Sequence, residues 1–173
     1  MNFNRLMHTP VTDIQTSKRV GRLSDIILSE NGKQMIGIVV TNDALLYSKR
    51  FYPWANVKSV SVFGISVCGI GNRYYRTEEL ENYVSLQDDV YGKTVQHGGM
   101  EIGIMRDAEF DLKNAELLCL EISRGLTEDL LHGRDSLSVK KGFKANKSEL
   151  CVCEQEELKK KKHALKKFKE QKG

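Results

Sequence analysis

GRLSDIILSENGKQMIGIVVT, residues Gly21–Thr41, holds two apolar runs around a turn signal. Ile36, Ile38 and Val40 recur at every second position, the period of a strand and not of a helix. Between the runs stands Ser29-Glu30-Asn31-Gly32, and Asn-Gly adopts positive φ at little cost, the strongest short-range sign of a hairpin. The pattern returns 82 residues later, without gaps, as GIMRDAEFDLKNAELLCLEIS (Gly103–Ser123). Gly21 and Asp25 match Gly103 and Asp107, and seven further positions pair apolar with apolar, where composition alone predicts about three. Leu118, Leu120 and Ile122 repeat the alternation, and Asp111-Leu112-Lys113-Asn114 supplies the turn, with Asn114 able to enter the left-handed region.

A lone hairpin is marginal in water, so each must recruit further strands. Leu45–Tyr47, Phe51–Trp54, Val57–Val62 and Ile65–Cys68 are the candidates in the first copy, and Lys93–Val95 and Ser136–Val139 in the second. Short strands punctuated by Gly and Asn predict a mostly β chain of two tandem small antiparallel barrels, which close their own edges. The expected divisions are 1–80 for the first barrel, 81–145 for the second, and 146–173 for a basic tail, helical or disordered. Tyr74–Tyr83 breaks the alternation and marks the join, with a helical turn expected there.

Charge is unevenly placed. Residues 1–80 carry net +4, residues 81–145 net −4, and residues 146–173 net +4, so the total of +4 resides formally in the tail. A basic core for nucleic acid is therefore not indicated. No stretch approaches the roughly 20 apolar residues of a transmembrane helix. The start, MNFNRLMHTP, lacks the apolar run of a secretory signal. Cys68, Cys119, Cys151 and Cys153 are too few and too irregular for a disulfide framework, and the expected address is cytoplasmic.

With Val20–Gly32, the following Met35–Val40 and the run Phe51-Tyr52-Pro53-Trp54-Ala55-Asn56-Val57 in view, the chain resembles the PRC-barrel family. Tyr91-Gly92-Lys93-Thr94-Val95 and Glu101–Asp107 look like the same opening again, though the second copy lacks the Pro-Trp element. The resemblance covers about 140 residues as two tandem copies and is similar to the two-barrel proteins of Gram-positive, spore-forming bacteria. It implies a binding or scaffolding barrel and not a catalyst. The family's ribosome-maturation and photosynthetic roles do not carry over, because their additional domain and membrane anchor are not found in this sequence.

The candidate chemistry is sparse. Asp25 and Asp107 invite an acid–base pair, but a carboxylate accepting backbone N–H groups beside a turn is the preferred role. Gly21 and Gly103 read as backbone requirements at a bend or bulge. Cys151-x-Cys153 could share a soft metal, yet no second pair or close histidine completes a zinc set. Cys68 and Cys119 fall on strands and are expected to be buried. His8, His97, His132 and His163 are scattered singly. Gly69-Ile70-Gly71-Asn72 lacks the third glycine of a dinucleotide fingerprint. The expectation is no enzyme, no cofactor and no metal.

The tail EQEELKKKKHALKKFKEQKG (Glu154–Gly173) places acids first and lysines last, the sense that complements a helix dipole. Lys159, Lys160, Lys161, Lys162, Lys166, Lys167 and Lys169 could contact RNA phosphates, which need only clustered positive charge. The function expected is an adaptor whose partner is another protein, with a ribosome- or RNA-associated factor as the alternative.

Overall fold

The computed structural model describes residues 1–42, 48–74 and 82–152, and the backbone of Leu158–Lys160. The chain is mostly β. One sheet holds Pro10–Asp13 (β1), Arg19–Leu28 (β2), Met35–Thr41 (β3), Lys49–Pro53 (β4), Val57–Val60 (β5), Ile65–Val67 (β6) and Asn72–Arg73 (β7), ordered β5-β6-β1-β2-β3-β4-β7. Val84–Ser85 (β8) adds to the far end of β2. The other holds Thr94–His97 (β9), Met100–Asp111 (β10), Glu116–Ser123 (β11), Asp135–Ser138 (β12), Phe143–Ala145 (β13), Glu149–Val152 (β14) and Leu158–Lys160 (β15), ordered β13-β14-β9-β10-β11-β12-β15.

The two orders are the same. In each, one pair of strands is parallel, β1 with β6 and β9 with β14, and the others are antiparallel. The repeat reaches into the irregularities of the ladders. Bulges skip Val20, Ser24 and Ile36 in the first sheet, and Ile102, Arg106 and Leu118 in the second, each pair 82 residues apart. Bulges bend and twist strands, so conserving all three spacings conserves the curl of the long hairpin. Gly21 and Gly103 explain one bend. Their φ angles are 149° and 139°, and a Cβ would lie 2.2 Å from Thr41 O or 2.4 Å from Ser123 O.

Several sequence expectations change here. The end strands β5 and β7, and β13 and β15, share no ladder among the described residues, where two closed barrels are expected from the sequence; the fold shown is a curled half-barrel sheet and a second sheet. Ile36 and Leu118 do not continue the buried alternation: each is the skipped residue of a bulge, and Leu118 is 43% exposed. The left-handed residue of the second turn is Ala115 (φ 55°), because Asp111 ties down Asn114 through its backbone and side-chain nitrogens. Cys68 and Cys119 are half-buried. The strand expected at Leu45–Tyr47 and most of the Tyr74–Tyr83 join lie outside the described residues.

The expected divisions also shift. Glu149–Val152 is a strand and not a tail helix: Leu150 and Val152 face the core at the strand period, and Glu149–Val152 runs beside β9. Leu158–Lys160 pairs with β12. Residues 84–90 belong by packing to the first sheet, through β8 and through a single π-helical turn at Leu86–Val90 whose Leu86 and Val90 are buried. Conversely, the short helix Phe3–Leu6 (α1) packs on β10. Buried apolar residues from both sheets form one continuous cluster.

That cluster is organised by a two-fold-like interface within the chain. Met35 N–H donates to Ala115 O (2.7 Å), and Leu117 N–H donates to Lys33 O (2.8 Å). Residue 35 thus meets 115 as residue 117 meets 33, the self-complementary pattern of an isologous dimer. Gln34 and Glu116, 82 apart, meet between them, Gln34 Nε2 donating to Glu116 Oε1 at 2.9 Å.

Alanine at Gly21 or Gly103 should therefore cost at least about 2 kcal/mol, combining a φ nearly reserved for glycine with a backbone clash. Urea unfolding of Gly21→Ala and Gly103→Ala checks this; a loss below 0.5 kcal/mol at both, roughly a surface substitution, would contradict the bend.

Candidate functional site

Of the residues singled out from the hairpins, Asp25 and Asp107 lie at the contact between the copies, while Gly21 and Gly103 pack within their own hairpins. Asp25 follows a β2 bulge, and its Oδ1 accepts from Ile26 N–H (2.7 Å) and Gln87 N–H (2.9 Å), while Oδ2 accepts from Ser85 Oγ (2.5 Å). Asp107 follows the matching bulge in β10. Its Oδ1 accepts from Ala108 N–H (2.9 Å) and Asn4 N–H (3.0 Å), and Oδ2 from Asn2 Nδ2 (3.3 Å). Each carboxylate therefore holds the start of a helical turn that precedes β1 or β9, but in the opposite copy. The leading turns are exchanged. Leu86 and Val90 on one side, and Phe3 and Leu6 on the other, bury their side chains in the exchange, worth roughly 1.5–3 kcal/mol each.

Burial pushes the Asp25 carboxyl up from 3.8 to about 6, against the pull of the Ser85, Gln87 and Ile26 donors, and neighbouring Asp88 adds to the rise. On the same turn, Asp89 Oδ2 accepts from Ser85 N–H at 2.8 Å. Asn2 Nδ2 also donates to Glu121 Oε1, so one amide joins two carboxylates of the second sheet. Further along, the Arg124 guanidinium stands 2.6 Å from the buried Asp135 carboxylate.

Beside the interface opens a cleft of about 1090 Å³. One wall is the β2–β3 turn with Ser29, Glu30 and Asn31, together with Asn82, Tyr83, Val84 and Asp89. The other is β13 and its flanking turns, carrying Lys141, Phe143, Lys144 and Lys147, with Cys151 and Val152 behind. The walls touch at the hairpin turn: Phe143 N–H donates to Asn31 O (2.9 Å), and the Phe143 ring occupies the space a side chain at Gly32 would need. The Asn-Gly pair of the hairpin thus serves a second purpose, admitting an aromatic ring from the other copy. Lys93 Nζ donates to Lys147 O and steadies the β13–β14 turn.

Most of the tail lysines fall outside the described residues. Lys161, Lys162, Lys166, Lys167 and Lys169 lie outside the described residues, and only the backbones of Lys159 and Lys160 are placed, in β15. Cys151 is exposed in the cleft, while Cys153 is outside the described residues. Among the described residues no three His, Cys, Asp or Glu side chains come together as a metal site. The cleft lysines escaped notice because they look like ordinary surface charge. The available signal was the alternation in Phe143–Ala145 and Leu150–Val152 around Asn146-Lys147-Ser148, the second run repeating Ile65–Val67 at a spacing of 85.

No protein-family model matches the chain, and no curated protein matches it.

Because the carboxyl of Asp25 is raised in the folded state, the fold holds more protons than the unfolded chain between about pH 4 and pH 6, and stability falls as pH rises through that window. Asparagine keeps the acceptor for Ile26 and Gln87 and offers Ser85 Oγ a donor, so Asp25→Asn should fold. The unfolding free energy of the variant relative to the parent should rise by on the order of 2–3 kcal/mol from pH 4 to pH 7. Chemical denaturation at the two pH values measures it; an unchanged difference would show that Asp25 titrates normally.

Proposed function

We propose that the chain is a non-catalytic binding protein built from two PRC-barrel-type copies, with another protein as its partner. One observation carries the reading. The helix Leu126–His132 (α2), on the β11–β12 connection, buries none of its side chains and leaves Leu126, Leu130 and Leu131 exposed by 77%, 66% and 57%. Three uncovered leucines on seven residues cost solvation without adding to the core, and such clusters mark interaction surfaces. Leu126 and Leu130 are four residues apart and share a face.

The first copy carries Leu45-Leu46 in the corresponding β3–β4 connection, where the second carries Leu130-Leu131, a spacing of 85 that matches the strands that follow, β4 and β12, while β3 and β11 before them are 82 apart. The leucine pair thus belongs to the repeat as a sequence feature. PRC-type barrels acting as scaffolds would present such connections to a partner. In the alternative, the lysines from Lys159 onward contact RNA; the start of that run is set at the sheet edge by pairing of β15 with β12.

Affinity capture from cell extract with the full chain, with Leu126→Glu/Leu130→Glu, and with residues 161–173 deleted separates the two. The protein reading expects a ribonuclease-resistant partner that the double variant loses while its melting temperature is kept. Capture abolished by ribonuclease and by the tail deletion, but indifferent to the leucines, would replace it with the RNA reading.

A further inference from the structure

Strand β13 forms one end of its sheet, and among the described residues no strand pairs with its outer side. That side faces the cleft. Phe143 N–H points away from β14, to Asn31 O, and strand groups alternate in direction, so Ala145, two residues on, turns its N–H and C=O the same way. An outward row of backbone groups is a template for a further strand.

We infer that the cleft binds an acidic, extended segment of a partner protein, which adds to β13 as a new edge strand. The inference rests on the protein-binding reading above and assigns the partner's chemistry at a second surface, apart from α2. Charge selects an acidic segment. Lys144 on β13 and Lys147 in its following turn are exposed, with Glu30 and Asp89 on the facing wall. Lys144 projects from β13 itself, so an acidic residue beside it on an added strand gains a cross-strand pair. The opposite face of that strand meets Phe143, Val84, Val152 and Tyr83, which suits apolar residues at alternate positions. At about 1090 Å³ the cleft lies at or above the roughly 300–1,000 Å³ of small-molecule sites, in keeping with a chain segment.

The probe is a fluorescent eight-residue peptide of alternating valine and glutamate, titrated into the full chain. It should bind, and its lysine-for-glutamate counterpart should bind at least about tenfold more weakly. Lys144→Glu should weaken binding by a similar factor. Ala145→Pro removes only an outward N–H, which an edge strand tolerates, so it should keep the melting temperature and lose the peptide. Amide exchange at Ala145 should slow when the peptide is bound. The inference falls if the acidic peptide does not bind, if it binds Ala145→Pro as well as the parent, or if a ten-residue oligouridylate binds Lys144-dependently in its place. Any of these leaves the leucine surface standing, because α2 is no part of the cleft and its test does not use the peptide.

Discussion

Two backbone hydrogen bonds, Met35 N–H to Ala115 O and Leu117 N–H to Lys33 O, set the relation between the two copies. Buried peptide groups are strongly selected to be paired, and these four satisfy one another only if the hairpins meet in one register. Once they do, each leading turn is brought over the other copy's bulge, where Asp25 or Asp107 collects its N–H groups. The exchange joins the halves twice more, and the apolar cluster runs through both. The chain thus folds an isologous interface into one molecule.

Covalent linkage releases such an interface from strict symmetry. The Asp25 side is enclosed by Ser85 and the π-helical turn, and the carboxyl is pushed towards neutrality. Asp107 meets an asparagine amide that it shares with Glu121. The Phe143–Asn31 contact bridges the copies next to the cleft. The cleft beside it brings Lys144 of β13 and Asn82–Val84 to one site, a segment of chain that lies in the link between the copies.

The duplicated hairpin was legible because strand alternation and an Asn-Gly turn are local signals, and because agreement at a constant spacing of 82 adds many weak ones. Its curl was half-legible: Gly21 and Gly103 marked one bend, while the bulges at Ser24 and Ile36 left no mark in residue type. A bulge shifts which side chains turn inward, so Leu118, apolar and in phase on paper, came to the surface. The same limit hid β14. Its four residues alternate correctly, but lysines on both sides drew the boundary before it.

By itself the sequence determined the unit and its number: a two-stranded ribbon with one apolar face, made twice, each held at a bend by a glycine that no side chain could replace. Those features depend on φ, on side-chain period and on turn chemistry, all of which act within a few residues. Tertiary structure alone decided that the leading turns cross over, that burial raises the Asp25 carboxyl, and that an open strand edge lines a lysine-bearing cleft. Each depends on groups 60 or more residues apart meeting in a particular register, and desolvation and pairing arise only when they meet.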